Sequence, residues 1–226
     1  MLRLLNGDCI QLMKTLPDKS IDCFICDLPY GQIGKKGSYY DAGSKLHKRV
    51  KTNPQWDVKI SLQDFWIEVD RLKKDDHTPI LHFCNTKFGI DLINSNPKWF
   101  RYDLVWNKER PVGPLSANIM PLKCHEMLYV FSKKSAKYQR IDTDGKCPVS
   151  VLTMKSCAGK KHLHPTAKPH EIYRWLLQRY CISGGTVLDP TAGSCHSVEV
   201  ARELGFNAIG IEMCKVYYDD AVKRLL

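Results

Sequence analysis

Residues 21–31 read Ile-Asp-Cys-Phe-Ile-Cys-Asp-Leu-Pro-Tyr-Gly, an apolar run that stops at a carboxylate, a proline, an aromatic residue and a glycine. The run is too short for a helix, and its pattern predicts a buried strand with Asp27 at the carboxyl end. In open α/β sheets, ligands bind in the crevice beyond the carboxyl ends of the strands. We therefore expect the chemistry to take place at four consecutive residues: Asp27, Leu28, Pro29 and Tyr30.

The last third of the chain contains a second strand that ends in an acidic residue. Residues 185–196 read Gly-Thr-Val-Leu-Asp-Pro-Thr-Ala-Gly-Ser-Cys-His, which predicts a strand, a turn of small residues and the start of a helix that Gly205 ends. A strand over residues 208–211 then places Glu212 at its end. An acidic residue about 20 positions beyond such a turn is the arrangement that puts a carboxylate on ribose hydroxyls. The turn lacks Gly-x-Gly-x-x-Gly and a P-loop lysine, which disfavours a dinucleotide or a nucleoside triphosphate.

Three short motifs resemble those of DNA amino-methyltransferases that use S-adenosylmethionine (SAM). Residues 27–30 resemble their Asp-Pro-Pro-Tyr signature, residues 164–169 their His-Pro-Thr-Gln-Lys-Pro motif, and residues 189–194 their SAM loop, Asp-Pro-Phe/Thr-x-Gly-Ser-Gly-Thr. Cys195 and His196 depart from the SAM loop. Because the glycine that is usual at position 195 permits close approach of the backbone, a cysteine there is expected to weaken cofactor binding.

The first motif implies a mechanism for methylating an exocyclic amine, whose lone pair is delocalised into the base. The Asp27 carboxylate and the Leu28 main-chain carbonyl would each accept one amino N–H, which favours a more nucleophilic nitrogen. Leu28 replaces the first proline of the signature, but any residue supplies a carbonyl. Tyr30 would stack on a base that is flipped out of the DNA helix.

The same resemblance implies SAM as the cofactor and indicates which residues bind it. Glu212 would bind the ribose, and Asp8 and Cys9 the adenine edge. Asp8 also suits the N-cap of a helix, and both roles can hold together. The full set of implied cofactor-binding residues is Asp8, Cys9, His164, Thr166, Lys168, Asp189, Pro190, Thr191, Ala192, Gly193, Ser194 and Glu212.

The order of the motifs indicates the fold. The catalytic strand comes first and the cofactor unit last, a circular permutation that resembles the β class of DNA amino-methyltransferases. That resemblance implies an α/β protein with a Rossmann-like SAM-methyltransferase fold. Its mixed, mostly parallel seven-stranded sheet would have one antiparallel strand and helices on both faces. Residues 1–226 are expected to form a single methyltransferase domain.

Apolar periodicity predicts the remaining helices and strands. Ser61 is the expected N-cap of one helix, and Pro169 is expected to open another. Residues 108–123 are rich in proline and glycine and are predicted to be loop. Strands are predicted over residues 2–5, 78–84, 102–106 and 126–132, and helices over residues 10–16, 61–74 and 87–94.

The net charge of +10 is concentrated in two segments. Residues 31–60 carry seven Lys or Arg and two Asp, and residues 123–170 carry ten Lys or Arg and three Asp or Glu. Concentrated basic segments suggest a polyanionic partner, and nucleic acid is the simplest candidate. We expect residues 31–60 to be a DNA-contacting loop and residues 133–163 a small target-recognition segment. The predicted DNA contacts are Lys35, Lys36, Tyr39, Lys48 and Arg49.

Composition indicates the compartment and the metal content. The 226 residues are 43% hydrophobic and 26% charged, without an apolar run of the roughly 20 residues that span a bilayer. We expect a cytoplasmic protein with no membrane partner, whose ten cysteines are free thiols. No metal site is predicted. Cys23 and Cys26 lie within one strand without a second such pair, and His162 and His164 have no suitably spaced carboxylate or cysteine.

Together these features predict a site-specific DNA methyltransferase that transfers a methyl group from SAM to N6 of a flipped adenine. A cytosine-C5 enzyme is disfavoured because its covalent mechanism needs a cysteine that follows proline in that family, and Cys147-Pro148 has the reverse order. Asp27 argues only modestly against cytosine-N4 methylation, which stays open. A weak or inactive DNA-binding relic, suggested by Leu28 and Cys195, stays open too, as does a protein or RNA methyltransferase. The sequence also leaves open the recognition sequence, monomer or homodimer, and a cognate restriction enzyme.

Overall fold

The computed structural model describes residues 1–29, 59–112, 114, 117–157 and 167–226. Strands alternate with helices near both ends of the described chain, and strands dominate its middle. The strands are β1 (Leu2–Asn6), β2 (Cys23–Cys26), β3 (Ile80–Cys84), β4 (Phe100–Val112), β5 (Lys123–Phe131), β6 (Val151–Thr153), β7 (Thr186–Asp189) and β8 (Asn207–Glu212). The helices are α1 (Cys9–Met13), α2 (Leu62–Leu72), α3 (Thr86–Ser95), α4 (His170–Tyr180), α5 (His196–Glu203) and α6 (Lys215–Leu225).

One sheet contains these eight strands in the order β1-β8-β7-β2-β3-β5-β4-β6. β5 runs antiparallel to β3 and β4, and the other neighbouring strands are parallel. The mixed, mostly parallel sheet with one antiparallel strand is therefore confirmed, but the predicted number of strands is one too few. The additional strand is β6 at the sheet edge, where one of its three residues is buried. A strand this short and exposed carries too little apolar pattern to be recognised.

β4 and β5 are longer than the apolar pattern indicates. β4 continues to Val112 and β5 begins at Lys123, so both enter residues 108–123, and the prediction of loop is wrong there. The two strands pair antiparallel as far as Val112 opposite Lys123, with a register shift after Asn107. Residues 107–111 are half-buried or exposed. Main-chain pairing holds this part of the hairpin, and such pairing leaves no hydrophobic periodicity in the sequence.

Apolar side chains pack on both faces of the sheet. Helices α4, α5 and α6 cover one face, and α1, α2 and α3 cover the other. Along β2, Cys23 and Ile25 belong to the first cluster, whereas Phe24 and Cys26 belong to the second. Successive strand residues point to opposite faces, so the predicted buried strand and the helices on both faces are confirmed. All ten cysteines are free, as expected.

The first and last thirds of the chain meet through parallel pairing. β2 pairs with β7, and β1 pairs with β8. Asp22 reinforces the first pair: its main-chain N–H donates to the Thr186 carbonyl at 2.8 Å, and its Oδ2 accepts the Thr186 N–H at 2.9 Å. Because the four strands are parallel neighbours, their carboxyl ends lie at the same edge of the sheet.

Local sequence explains several helix starts. Asp8 and Ser61 are N-caps whose side chains accept the main-chain N–H groups of Gln11 and Asp64, as their residue types favour.

The final helix, α6, is not among the predicted elements, although its buried residues recur every four positions: Tyr217, Ala221 and Leu225. Within the described ranges, no helix has the length and apolar character that crossing a membrane requires.

Gly210 on β8 allows α5 and the turn after β7 to approach the sheet. A Cβ atom at Gly210 would lie 2.8 Å from Val198 Cγ2 and 3.3 Å from Ala192 Cβ. We expect Gly210→Ala to lower the free energy of unfolding by about 1–3 kcal/mol, because a packed interior resists added atoms. Urea unfolding measures the change. Val198→Ala makes room, so the double variant should lose less stability than the two single variants together. Wild-type stability in Gly210→Ala would contradict this packing.

Candidate active site

A cavity of about 420 Å³ opens at the carboxyl ends of β1, β2, β7 and β8. Asp27 from the first third of the chain and Gly193 from the last third line the same cavity. The predicted site residues that line it are Asp8, Cys9, Asp27, Leu28, Pro29, Lys168, Asp189, Pro190, Thr191, Ala192, Gly193, Ser194 and Glu212. The other predicted site residues lie outside the described ranges: Tyr30, Lys35, Lys36, Tyr39, Lys48, Arg49, His164 and Thr166.

Asp189 ends β7 and organises the turn that follows it. Its Oδ1 accepts the Thr191 N–H at 3.0 Å, and its Oδ2 accepts the Ser197 hydroxyl. The residue is only 4% exposed. Burial raises the pKa of Asp189 to about 7, although both hydrogen bonds favour the carboxylate. The side chain therefore holds the turn against the first turn of α5.

Glu212, at the end of β8, supports the same turn from the neighbouring strand. Its Oε2 accepts the Gly193 N–H at 2.8 Å, and its Oε1 accepts the Cys214 N–H at 2.7 Å. Burial raises the pKa of Glu212, and the two hydrogen bonds oppose that rise. Each carboxylate oxygen has a second lone pair, so the side chain can support the turn and also accept a hydroxyl from the cavity.

Cys195 occupies a backbone position that favours glycine. Its φ is 58° and its ψ is 21°, in the left-handed region, and its side chain is buried. A residue with a Cβ atom is strained there and glycine is not, which gives a conformational reason for the glycine that is usual in the SAM loop. Cys195 is not among the residues that line the cavity. Its expected effect on cofactor binding stays a prediction.

Asp27 follows β2 and faces the cavity, with about a quarter of its side chain exposed (26%). Leu28 is buried in the core that lies under α1 and α2, so its side chain anchors the turn. Pro29 lines the cavity beside them. Its ring restricts Leu28 to extended geometry. The strand, the leucine and the proline together fix where the main chain of Asp27 lies.

A family model described as DNA methylase, of the N6/N4 methyltransferase type, matches residues 21–223. The chain belongs to this family of DNA methyltransferases. It is similar to the type II methyltransferase M.HinfI of Haemophilus influenzae, with 27% identity over 98% of this chain and 67% of that protein.

Solved structures have the fold of this methyltransferase. The M1.HpyAVI–SAM complex matches it with a TM-score of 0.71 at 21% identity, over 100% of both chains. PvuII DNA methyltransferase, described as cytosine-N4-specific, matches with a TM-score of 0.77 at 17% identity, over 99% of this chain and 86% of that chain. The predicted Rossmann-like methyltransferase fold is confirmed.

The methyltransferase contains a charged network that no motif in its sequence indicates. The ammonium of Lys168 contacts Asp27 Oδ2 and lies 3.9 Å from Glu126 Oε2. Glu126 on β5 also accepts a hydrogen bond from Lys108 on β4. The resemblance places Lys168 among the cofactor-binding residues, and in the structure its ammonium is paired with the catalytic candidate. The roles of Glu126 and Lys108 depend on strand pairing, which is why sequence reasoning missed them.

Sequence reasoning also missed the start of α2 as part of the cavity wall. Lys59, Ile60, Ser61 and Asp64 line the cavity opposite the turn after β7. Ser61 is predicted only as an N-cap, and its hydroxyl does accept the Asp64 N–H at 3.3 Å. A capping pattern of this kind marks a helix start but does not indicate what the helix faces.

One group of metal-ligand residue types occurs among the described residues of the methyltransferase. His170, His196 and Glu199 place their ligand atoms within 4.8 Å of one another. Glu199 Oε2 lies 3.3 Å from His170 Nε2 and 3.1 Å from a nitrogen of Arg224. His196 Nδ1 lies 2.8 Å from the Lys168 carbonyl. The arginine thus supplies positive charge beside Glu199.

The buried carboxyl of Asp189 predicts a pH-dependent difference in stability between the methyltransferase and its Asp189→Asn variant. A pKa raised from 3.8 to about 7 means that the folded state holds a proton that the unfolded state has released over this range. Wild-type stability therefore falls as pH rises from about 4 to about 7 relative to the variant, by up to about 4 kcal/mol. Urea unfolding across this range measures the difference.

The exposed Asp103→Asn variant controls for the loss of one carboxylate. Asp103 lies on β4, and its side chain is at the surface. Asn at position 189 can still accept the Thr191 N–H, which keeps the turn comparable with wild type. A difference between wild type and Asp189→Asn that stays constant from pH 4 to pH 8 would contradict the assignment.

Proposed function

We propose that this methyltransferase transfers a methyl group from SAM to N6 of an adenine that is flipped out of DNA. The observation that carries the proposal is that Asp27 and the turn at 189–194 open on one cavity. An acceptor for an amine and a loop of the SAM-binding type therefore face each other across the space in which a base and a cofactor would meet.

The polar groups that line the cavity fit SAM. Its volume of about 420 Å³ lies within the range of about 300–1,000 Å³ that is usual for small-molecule sites. Glu212 and Asp8 offer carboxylate oxygens for hydroxyl and amino groups, and the turn at 189–194 offers backbone between them. The similar M1.HpyAVI structure is a SAM complex, which supports the same assignment here. When bound, SAM supplies an electrophilic methyl group on a sulfonium.

The residues of this chain prepare the amine for direct transfer. The Asp27 carboxylate and the Leu28 carbonyl accept the two N–H groups of the adenine amine and favour a pyramidal nitrogen with an available lone pair. The nitrogen–carbon bond forms as the sulfur–carbon bond breaks, with inversion at the methyl carbon. The neutral thioether leaves with the electron pair, and the methylated nitrogen releases one proton to solvent. Tyr30 would stack on the flipped base.

Cytosine-N4 methylation is the second candidate. The likeness to PvuII DNA methyltransferase, described as cytosine-N4-specific, favours it. Asp27 favours adenine, because the resemblance associates serine at this position with cytosine-N4 activity more often than aspartate. The amine chemistry is the same for both bases, so the choice depends on how the flipped base fits the pocket.

DNA contact is proposed for the two basic segments, but part of their charge is used within the protein. Lys137 pairs with Asp75 at 2.5 Å, and Lys133 and Lys134 lie 3.6 and 3.7 Å from Asp76. These three lysines anchor the start of the proposed recognition segment 133–163 to the loop before β3. We therefore expect its DNA contacts to come chiefly from the lysines that follow them in the chain.

Replacing Asp27 by Asn tests the catalytic role. Asparagine has nearly the same shape as aspartate, but an NH2 group replaces one of the two carboxylate oxygens and the negative charge is lost. We expect turnover to fall at least about 100-fold, as for other lost electrostatic contacts in transition states. Transfer of a radiolabelled methyl group to unmethylated genomic DNA measures it, and calorimetric SAM affinity, expected within threefold of wild type, is the internal control. Wild-type turnover in this variant would overturn the proposed mechanism.

The identity of the base is decided by mass. We expect DNA methylated by the protein, digested to nucleosides, to contain N6-methyldeoxyadenosine and no N4-methyldeoxycytidine. The reverse result would establish the second candidate. A DNA-binding relic predicts neither product and no saturable heat on titration with SAM, which separates loss of catalysis from a different base preference.

A further inference from the structure

Lys168 is a buried cation between two carboxylates. Its side chain is 5% exposed, its ammonium contacts Asp27 Oδ2, and it lies 3.9 Å from Glu126 Oε2. The ammonium also lies 4.6 Å from the centroid of the Phe83 ring, within the range of a cation–π contact. Burial by itself would lower the pKa of Lys168. The Asp27 and Glu126 carboxylates outweigh this effect and raise the pKa. The side chain is therefore a fixed positive charge.

Glu126 and Lys108 extend this pair into a network of alternating charge. Lys108 donates a hydrogen bond to Glu126 and lies 4.9 Å from the centroid of the Trp106 ring. Burial alone would raise the pKa of Glu126. The positive charges of Lys168 and Lys108 outweigh this effect and lower the pKa, so the carboxylate is ionised. Two carboxylates and two ammonium groups thus balance. Such a balance is what makes buried charges tolerable.

The main chain of Lys168 is tied to the turn that follows β7. His196 Nδ1 lies 2.8 Å from the Lys168 carbonyl. Because a carbonyl can only accept, this ring nitrogen carries the hydrogen and donates it. His196 begins α5, directly after the turn at 189–194. One residue therefore contacts the catalytic candidate through its side chain and, through its backbone, the first residue of the helix that follows the cofactor turn.

We propose that Lys168 is a positioning residue, which orients the Asp27 carboxylate, and that Glu126 holds Lys168 in place. The proposal rests on the proposed role of Asp27. A carboxylate paired with a buried ammonium is held in one direction. The second Asp27 oxygen is then aimed at one N–H of the target amine.

The charged surroundings determine what loss of the lysine would do. Without its ammonium, Glu126 would keep only Lys108 and Lys123 as neighbouring positive charges, and its pKa would rise. The Asp27 carboxylate would lose its contact with the lysine. The ionisable groups that interact with Asp27, Glu126 or Lys168 are Cys26, Cys84, Lys108, Lys123, Tyr173 and Asp189.

Lys168→Met tests the proposal, because methionine keeps the apolar stem against Phe83 and removes the charge. We expect kcat for methyl transfer to unmethylated genomic DNA to fall about 100-fold at pH 7.5, as for other lost electrostatic contacts in transition states. Calorimetric SAM affinity should stay within threefold of wild type. Lys168→Arg, which keeps the charge, should recover part of the loss. Lys215→Met, which changes an exposed lysine on α6, is the matched control.

Glu126→Gln is the second variant, needed because Lys168→Met can fail to fold. It leaves the Asp27–Lys168 pair but weakens the hold on the lysine, so we expect kcat to fall about tenfold. Thermal melting identifies variants that fold. If neither folded variant changes kcat, the proposal is wrong. If Lys168→Met loses SAM affinity and keeps the wild-type kcat at saturating SAM, the lysine binds cofactor instead, as the sequence motif implies.

The proposed function and this inference fail in different ways. Wild-type turnover in Asp27→Asn removes the proposed role of Asp27, and the inference falls with it. An inactive Asp27→Asn together with a fully active Lys168→Met leaves the proposed function intact and overturns the inference alone.

Discussion

The parallel pairing of β2 with β7 is the contact on which the candidate active site depends. It joins residues that are more than 160 positions apart. Asp22 and Thr186 fix it through one main-chain hydrogen bond and one hydrogen bond from the Thr186 N–H to the Asp22 carboxylate. Parallel strands end at the same edge of a sheet, so Asp27 after β2 and Asp189 after β7 reach one cavity. Without this pairing, Asp27 and the turn at 189–194 would not be held at the same cavity.

This arrangement concentrates acidic groups at one edge, and the structure compensates each of them differently. Glu212 accepts two main-chain N–H groups, and Asp189 accepts one N–H and one hydroxyl while burial raises its pKa. Asp27 is matched by a buried lysine, Lys168. In the first two cases, the hydrogen bonds fix the geometry of the turn after β7. In the third, a full positive charge lies beside the group that the proposed mechanism uses.

The agreement between predicted and observed secondary structure differs from one element to the next. The apolar run before Asp27 and the unit from β7 to β8 are found as predicted, because buried parallel strands and small-residue turns leave strong local patterns. The prediction fails in the middle of the chain. β4 continues past a register shift, with main-chain pairs to β5 at Asn107 and Val112, and β6 has a single buried residue. Elements held by backbone hydrogen bonds at a sheet edge have no hydrophobic period to recognise.

The sequence by itself determined the family, the class of fold and most of the residues around the cavity. Contiguous motifs indicate the family and these residues, and the order of the motifs along the chain indicates the fold. Only the tertiary structure decided how those residues are used. It placed the ammonium of Lys168 on Asp27, brought Glu126 and Lys108 from two other strands to balance it, and put Cys195 in a left-handed conformation away from the cavity lining. Charge pairing between distant strands depends on sheet order and register, and neither is encoded in any local stretch of the chain.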